Sequence, residues 1–157
     1  YEFLAYAKAG RVKELWDFMY RVFGDWMDQG HTRFPENFQT EASRAKQLEF
    51  YRRPYGLSLC HGANGVPAVV GALNGLIGFS QSAEKPNEYT IKPELLHLGW
   101  ITSRIPVKEG FISVKLNATG ESTIEIPNGC IVKVITKGEG KPLTLRKPGT
   151  YKFKLID

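Results

Sequence analysis

Cysteine is nearly absent from this chain: Cys60 and Cys130 are the only two. They stand far apart, with no CxxC pair and no histidine at metal-ligand spacing. The sequence therefore offers no zinc site, and a disulfide between the two is not specified by it. Long apolar runs are missing too. The longest candidate, AVVGALNGLIGF (Ala68–Phe79), has twelve residues and carries Asn74 and three glycines. It reads as a buried core helix and not as a membrane span, so no membrane insertion is expected. There is no GxSxG and no defensible Ser/His/Asp order. GANG (Gly62–Gly65) has no strand leading into it and no Lys-Ser/Thr after it, which excludes a phosphate-binding loop. No signal-like segment opens the chain. It starts at Tyr1 inside a helical pattern, YEFLAYAKAG, and the expectation is a piece of a longer protein, so the missing signal is silent on compartment.

What is present is enough for a core. Of 157 residues, 42% are hydrophobic and 24% charged, a balance that favours folding over disorder. The net charge is +5. Residues 1–85 hold 10 basic and 9 acidic side chains, while 86–157 hold 11 and 7, so the surplus lies in the second half. There it alternates with apolar residues, as in YKFKL (Tyr151–Leu155), which sets lysines on the wet face of an edge strand. That pattern guards a sheet edge, and no nucleic-acid partner is expected from it.

Two periods divide the chain. In RVKELWDFMYRVFGDWMDQG, Val12, Leu15, Trp16, Met19, Val22, Phe23, Trp26 and Met27 recur at three- and four-residue spacing and predict a helix with one broad apolar stripe. Gly30 fits its left-handed cap. The period then fades until Pro67, which suits the first position of a helix running to about Phe79. Gly71 and Gly75 on that helix read as packing positions. After SQSAEKPNE (Ser80–Glu88) come short alternating runs: YTIKP, LGWITSRIPV, GFISVKLNA, STIEIPNG, CIVKVIT, LTLRKPG and TYKFKLI. Asn128-Gly129 reads as a hairpin turn. The expected fold is an α+β two-part chain, residues 1–85 helical and residues 86–157 an antiparallel β-sandwich.

Glu36, in GHTRFPENFQ, is the best candidate for chemistry. His31 and Arg33 could keep it ionised, as a general base requires. Spacing alone favours an acid in the first turn of a short helix near Pro35. His61, in SLCHGANGVP, sits in a Gly-rich turn before a Pro-started helix, where side chains can face a ligand, although a histidine satisfied within the fold gives the same pattern. Asn117-Ala118-Thr119 matches a glycosylation sequon, a match common by chance.

Taken in order, GHTRFPENFQ, SLCHGANGVPAVVGALNGLIGF and YTIKPELLHLGWITSRIPVKEGFISVKLN resemble the C-terminal end of α-L-rhamnosidases of glycoside hydrolase family 78. In that family a Trp-Glu-Arg segment closes one side of the active site. A Ser-Leu-Asn-His segment then leads into the last long helix of an (α/α)6 barrel, and I-x-P, Leu-x-Trp and P-x-x-x-G-x-I-x-V stretches follow in a terminal β-sandwich. Here they are Ile91–Pro93, Leu98–Trp100 and Pro106–Val114. The resemblance makes residues 1–85 the last helices of the barrel and residues 86–157 the sandwich. It implies Glu36 as the general base of an inverting hydrolase and His61, with His31 and Arg33, at the sugar. The implied partners are an oligosaccharide or glycoside substrate and either the remainder of the parent enzyme or a second copy docked on exposed helices. It implies no cofactor and no metal, and a periplasmic or secreted bacterial setting. Pro35 replaces the family's Trp, and Cys60 and Gly62 replace the Asn and Tyr flanking the histidine, which leaves the sugar open between rhamnose, another deoxy sugar and a uronic residue. Two other functions fit the residues: a carbohydrate-binding β-module with Trp100 and Tyr151 as stacking platforms, although their place in alternating strands sets the expectation that both fill the core, and a toroidal polysaccharide lyase with His31 or His61 as base.

Overall fold

The computed structural model describes residues 2–24, 28, 69, 71–137 and 142–155. The chain forms two compact units, Tyr1–Gly71 and Ala72–Asp157.

In the first unit, α1 (Glu2–Lys8) stops at Gly10, whose φ of 70° lets the chain reverse. The Arg11 N–H bonds the Tyr6 carbonyl at 3.0 Å and the Gly10 N–H bonds Ala7 at 3.1 Å, the paired bonds of a Schellman ending. Helix α2 (Val12–Met19) follows and widens into a π-helical turn, Tyr20–Gly24. The first turns of the predicted stripe are seen: Leu15 is fully buried, Val12 nearly so, and Met19 packs around Phe3 and Leu15, joined by Phe18, which the spacing did not include. The Phe3 and Phe18 rings lie 4.9 Å apart, tilted by 46°. A Cβ on Gly71 would stand 3.1 Å from the Phe3 Cβ, so its small size serves close packing. The side chains of Val22, Phe23, Trp26 and Met27, and the expected Gly30 cap, lie outside the described residues. The helices described are two α-helices and two π-helical turns, which by themselves do not show the barrel segment expected of residues 1–85.

The second unit opens with a π-helical turn, Leu73–Ile77, ending on left-handed Gly78 (φ 66°). Eight strands follow: β1 (Ser80–Gln81), β2 (Glu88–Ile91), β3 (Trp100–Val107), β4 (Gly110–Asn117), β5 (Glu121–Ile126), β6 (Ile131–Val134), β7 (Leu143–Leu145) and β8 (Gly149–Lys154). The seven alternating runs are β2 to β8, and β1 arises from the junction segment. A first sheet is ordered β1-β2-β6-β7 and a second β3-β4-β5-β8. Inward residues of both sheets join one core: Ile91, Val132, Val134 and Leu145 from the first, Ile105, Ile112, Val114, Leu116, Ile124 and Ile126 from the second. This layering is compatible with a sandwich. Each fully buried aliphatic side chain contributes about 1.5–3 kcal/mol. Buried Ser122 is satisfied, accepting the Asn117 N–H at 3.0 Å.

Two expectations need correction. The sandwich is not wholly antiparallel, because β2 and β6 pair in parallel, Glu88↔Ile131 to Ile91↔Val134. A parallel pair needs a long crossover, and β3, β4 and β5 in the other sheet supply it. Asn128-Gly129 is likewise not a hairpin, since β5 and β6 belong to different sheets. The turn is a corner between them, held by Asn87, whose Nδ2 donates to the Gly129 carbonyl at 3.1 Å and whose carbonyl accepts the Ile131 N–H at 2.9 Å. Long-range pairing with β2 wins over the local turn preference.

Candidate functional site

Glu36, His31, Arg33 and His61 all lie outside the described residues, as does Cys60. Two polar constellations within the second unit are described.

The first is a clamp at one end of the core. Lys108 and Glu109 form the two-residue turn of the β3–β4 hairpin, closed by the Val107↔Gly110 pair. The Glu109 carboxylate reaches the other sheet. Tyr89 on β2 donates its hydroxyl to Glu109 Oε2 at 3.0 Å, and the Cys130 thiol, ahead of β6, approaches the same oxygen at 3.5 Å. Burial pushes the Glu109 carboxyl up, but hydrogen bonds from Tyr89, its own backbone N–H and Cys130 prevail and hold it below the ordinary value. The donors move the opposite way. Burial first, and the facing carboxylate second, push the Tyr89 phenol up to about 12 and the Cys130 thiol up to about 11. Cys130 is a buried free thiol, too protonated to act as a nucleophile at neutral pH. The cluster is suited to joining two sheets.

The second constellation lies on the outer face of the second sheet. Residues at alternate positions of β3 and β4 face outward, and the register sets Arg104 opposite Ser113 and Ser113 opposite Glu125. Next to this row Pro106 stands opposite Phe111, and the Arg104 guanidinium carbon lies 3.9 Å from the Phe111 ring centroid. Phe111 is 46% exposed. Arg104, Phe111, Ser113, Glu125, Ile126 and Pro127 border an open depression of about 470 Å³. Sequence alone assigned these outward residues no role. Their only signal was an aromatic and an arginine at outward positions of neighbouring strands.

Trp100 is also corrected. The expectation that it fills the core fails, because it is 66% exposed on edge strand β3. Tyr151 does pack against the core and ties its hydroxyl to the Lys147 carbonyl at 2.8 Å.

Among the described residues no group of three His, Cys, Asp or Glu side chains could hold a metal ion, and no helix is long and apolar enough to cross a membrane. No family model matches the chain, and no curated protein matches it. Among solved structures, the chain is similar to the crystal structure of native α-L-rhamnosidase from Aspergillus terreus. The identity is 20%, over 61% of this chain and 12% of that one, with a TM-score of 0.49. A likeness of that extent says nothing about chemistry.

Proposed function

We propose that this chain is the C-terminal part of a glycoside hydrolase of the α-L-rhamnosidase kind, in which Glu36 is the general base. One observation carries the reading: the order and separation of the segments holding Glu36, His61, Ile91–Pro93, Leu98–Trp100 and Pro106–Val114. The last three fall at element boundaries, at the end of β2, at the entry to β3 and across the β3–β4 turn.

Inverting hydrolysis needs two carboxyl groups about 6.5–9.5 Å apart, one to protonate the leaving oxygen and one to deprotonate the attacking water. Glu36 takes the second role, kept ionised by Arg33 and His31, while His61 binds the sugar. The acid belongs to the part of the parent preceding Tyr1. The isolated 157-residue chain is then inactive, and its helices dock on the rest of the parent or on a second copy.

Glu36→Gln in the longer parent tests this. Removing a general base costs about 10²–10⁴-fold in turnover, with the sugar still bound. Undiminished turnover in that variant would remove Glu36 from the mechanism. Hydrolysis of an aryl rhamnoside by the 157-residue chain alone would overturn the requirement for an upstream acid.

A further inference from the structure

We propose that the outer face of the second sheet carries a glycan-binding site built on Arg104, Phe111, Ser113 and Glu125. It is independent of Glu36 and of the hydrolytic reading, since every residue in it lies between β3 and β5.

The depression of about 470 Å³ is within the size range of small-ligand sites. Its polar groups form a row across three strands. A guanidinium, which only donates, stands at one end; a carboxylate, which only accepts when ionised, stands at the other; a hydroxyl able to do both lies between them. Neighbouring strands are about 4.8 Å apart, so the two ends are separated by roughly 10 Å at the backbone. Among the described residues none of the three side chains makes a hydrogen bond or an ion pair. Arg104 is held instead by the Phe111 ring at 3.9 Å, a cation–π contact that leaves its N–H groups free to donate to a ligand.

A ligand matching this row must accept from Arg104 and donate to Glu125 within one short span. Sugar hydroxyls do both, and the apolar faces of a pyranose suit the exposed edge of Phe111 and neighbouring Pro127. A nucleic-acid backbone only accepts, and Glu125 repels it. An extended peptide presents its donors and acceptors along the backbone, which matches a sheet edge rather than a sheet face. A glycan can engage Arg104 through neutral oxygens or through a uronic carboxylate, and separate probes distinguish the two.

The test is titration of the ¹⁵N-labelled 157-residue chain with cellohexaose, xylohexaose and hexagalacturonate, followed by amide shifts. The expected result is saturable shifts at Arg104, Phe111, Ser113 and Glu125 with a Kd below about 1 mM for at least one probe. Binding of hexagalacturonate alone assigns a carboxylate to Arg104, and binding of a neutral probe assigns hydroxyl recognition. Arg104→Ala and Phe111→Ala should each weaken binding by about tenfold or more. Both residues are on the outside, and unchanged Leu116 and Ile124 amides would verify folding. The proposal is overturned if no probe binds, if both variants bind like the parent chain, if only Trp100→Ala abolishes binding, or if an oligonucleotide or extended peptide binds in preference.

Discussion

Replacing Tyr89 by Phe removes one hydroxyl from the Tyr89–Glu109–Cys130 clamp and should leave its mark on the pH dependence of stability. The phenol is nearly fully buried, at 2% exposure, and its pKa rises from 10.0 to about 12. A group that holds its proton more tightly when folded stabilises the native state fully below its unfolded pKa. That contribution is lost as pH rises through the folded value. At about 1.36 kcal/mol per unit, Tyr89 contributes on the order of 2–3 kcal/mol, lost between about pH 10 and 12. Cys130, shifted from 9.0 to about 11, loses its share over an earlier window. Both donors face one carboxylate oxygen, so the two losses are coupled and do not simply add. At neutral pH the Phe variant should lose about 1.5–3 kcal/mol, the order of a hydrogen bond to a charged group. Above pH 10 its further decline should be shallower than that of the wild type. Urea denaturation at a series of pH values, followed by methyl resonances of Ile91, Val132 and Ile124, measures both. Parallel alkaline limbs for the two proteins would refute the assignment of that window to Tyr89.

Glu109→Gln probes the other partner: with its folded pKa below 4.5, Glu109 stabilises above the unfolded value and loses that as pH falls, so the variant's acid limb should be flatter in the same urea series. Gly78→Ala forces a side chain into a left-handed backbone and against the Lys92 carbonyl oxygen, and should cost at least about 2 kcal/mol in urea midpoint terms. Leu116→Ala opens a void in a fully buried part of the core and should cost about 2–5 kcal/mol.

Much of the second unit was legible because strands announce themselves with a period of two. Ile112, Val114 and Leu116 are inward as the alternation requires, and Lys152 and Lys154 lie exposed on β8, an edge strand. What alternation does not encode is which strands pair. Asn128-Gly129 looks like a hairpin locally, yet Asn87, distant in sequence, draws β6 into the other sheet. Trp100 has the alternation of a core residue, but the phase of β3 sends it outward, and a shift of one residue is all that separates the two outcomes. The first unit shows the same limit. The stripe of α2 could be read from spacing alone, whereas Glu36, His31, Arg33 and His61 sit where the period fades, and only the resemblance joins them.

The same distinction explains why the Arg104 row escaped notice. Arg104, Ser113 and Glu125 are nine and then twelve residues apart in sequence; they become neighbours only through the register of two hairpins. That register is fixed near the Lys108–Glu109 turn, where Val107 meets Gly110, whose φ of 135° suits glycine. Glu109 points inward from this turn to Tyr89 and Cys130, while Phe111, two residues on, faces outward beneath Arg104. Loosening the inner clamp should therefore loosen the outer stack. In Glu109→Gln the Phe111 ring should gain mobility, visible as altered ring-proton shifts, with Arg104 and Phe111 themselves untouched. An unchanged ring signal would mean that the outer site is held by the strands alone.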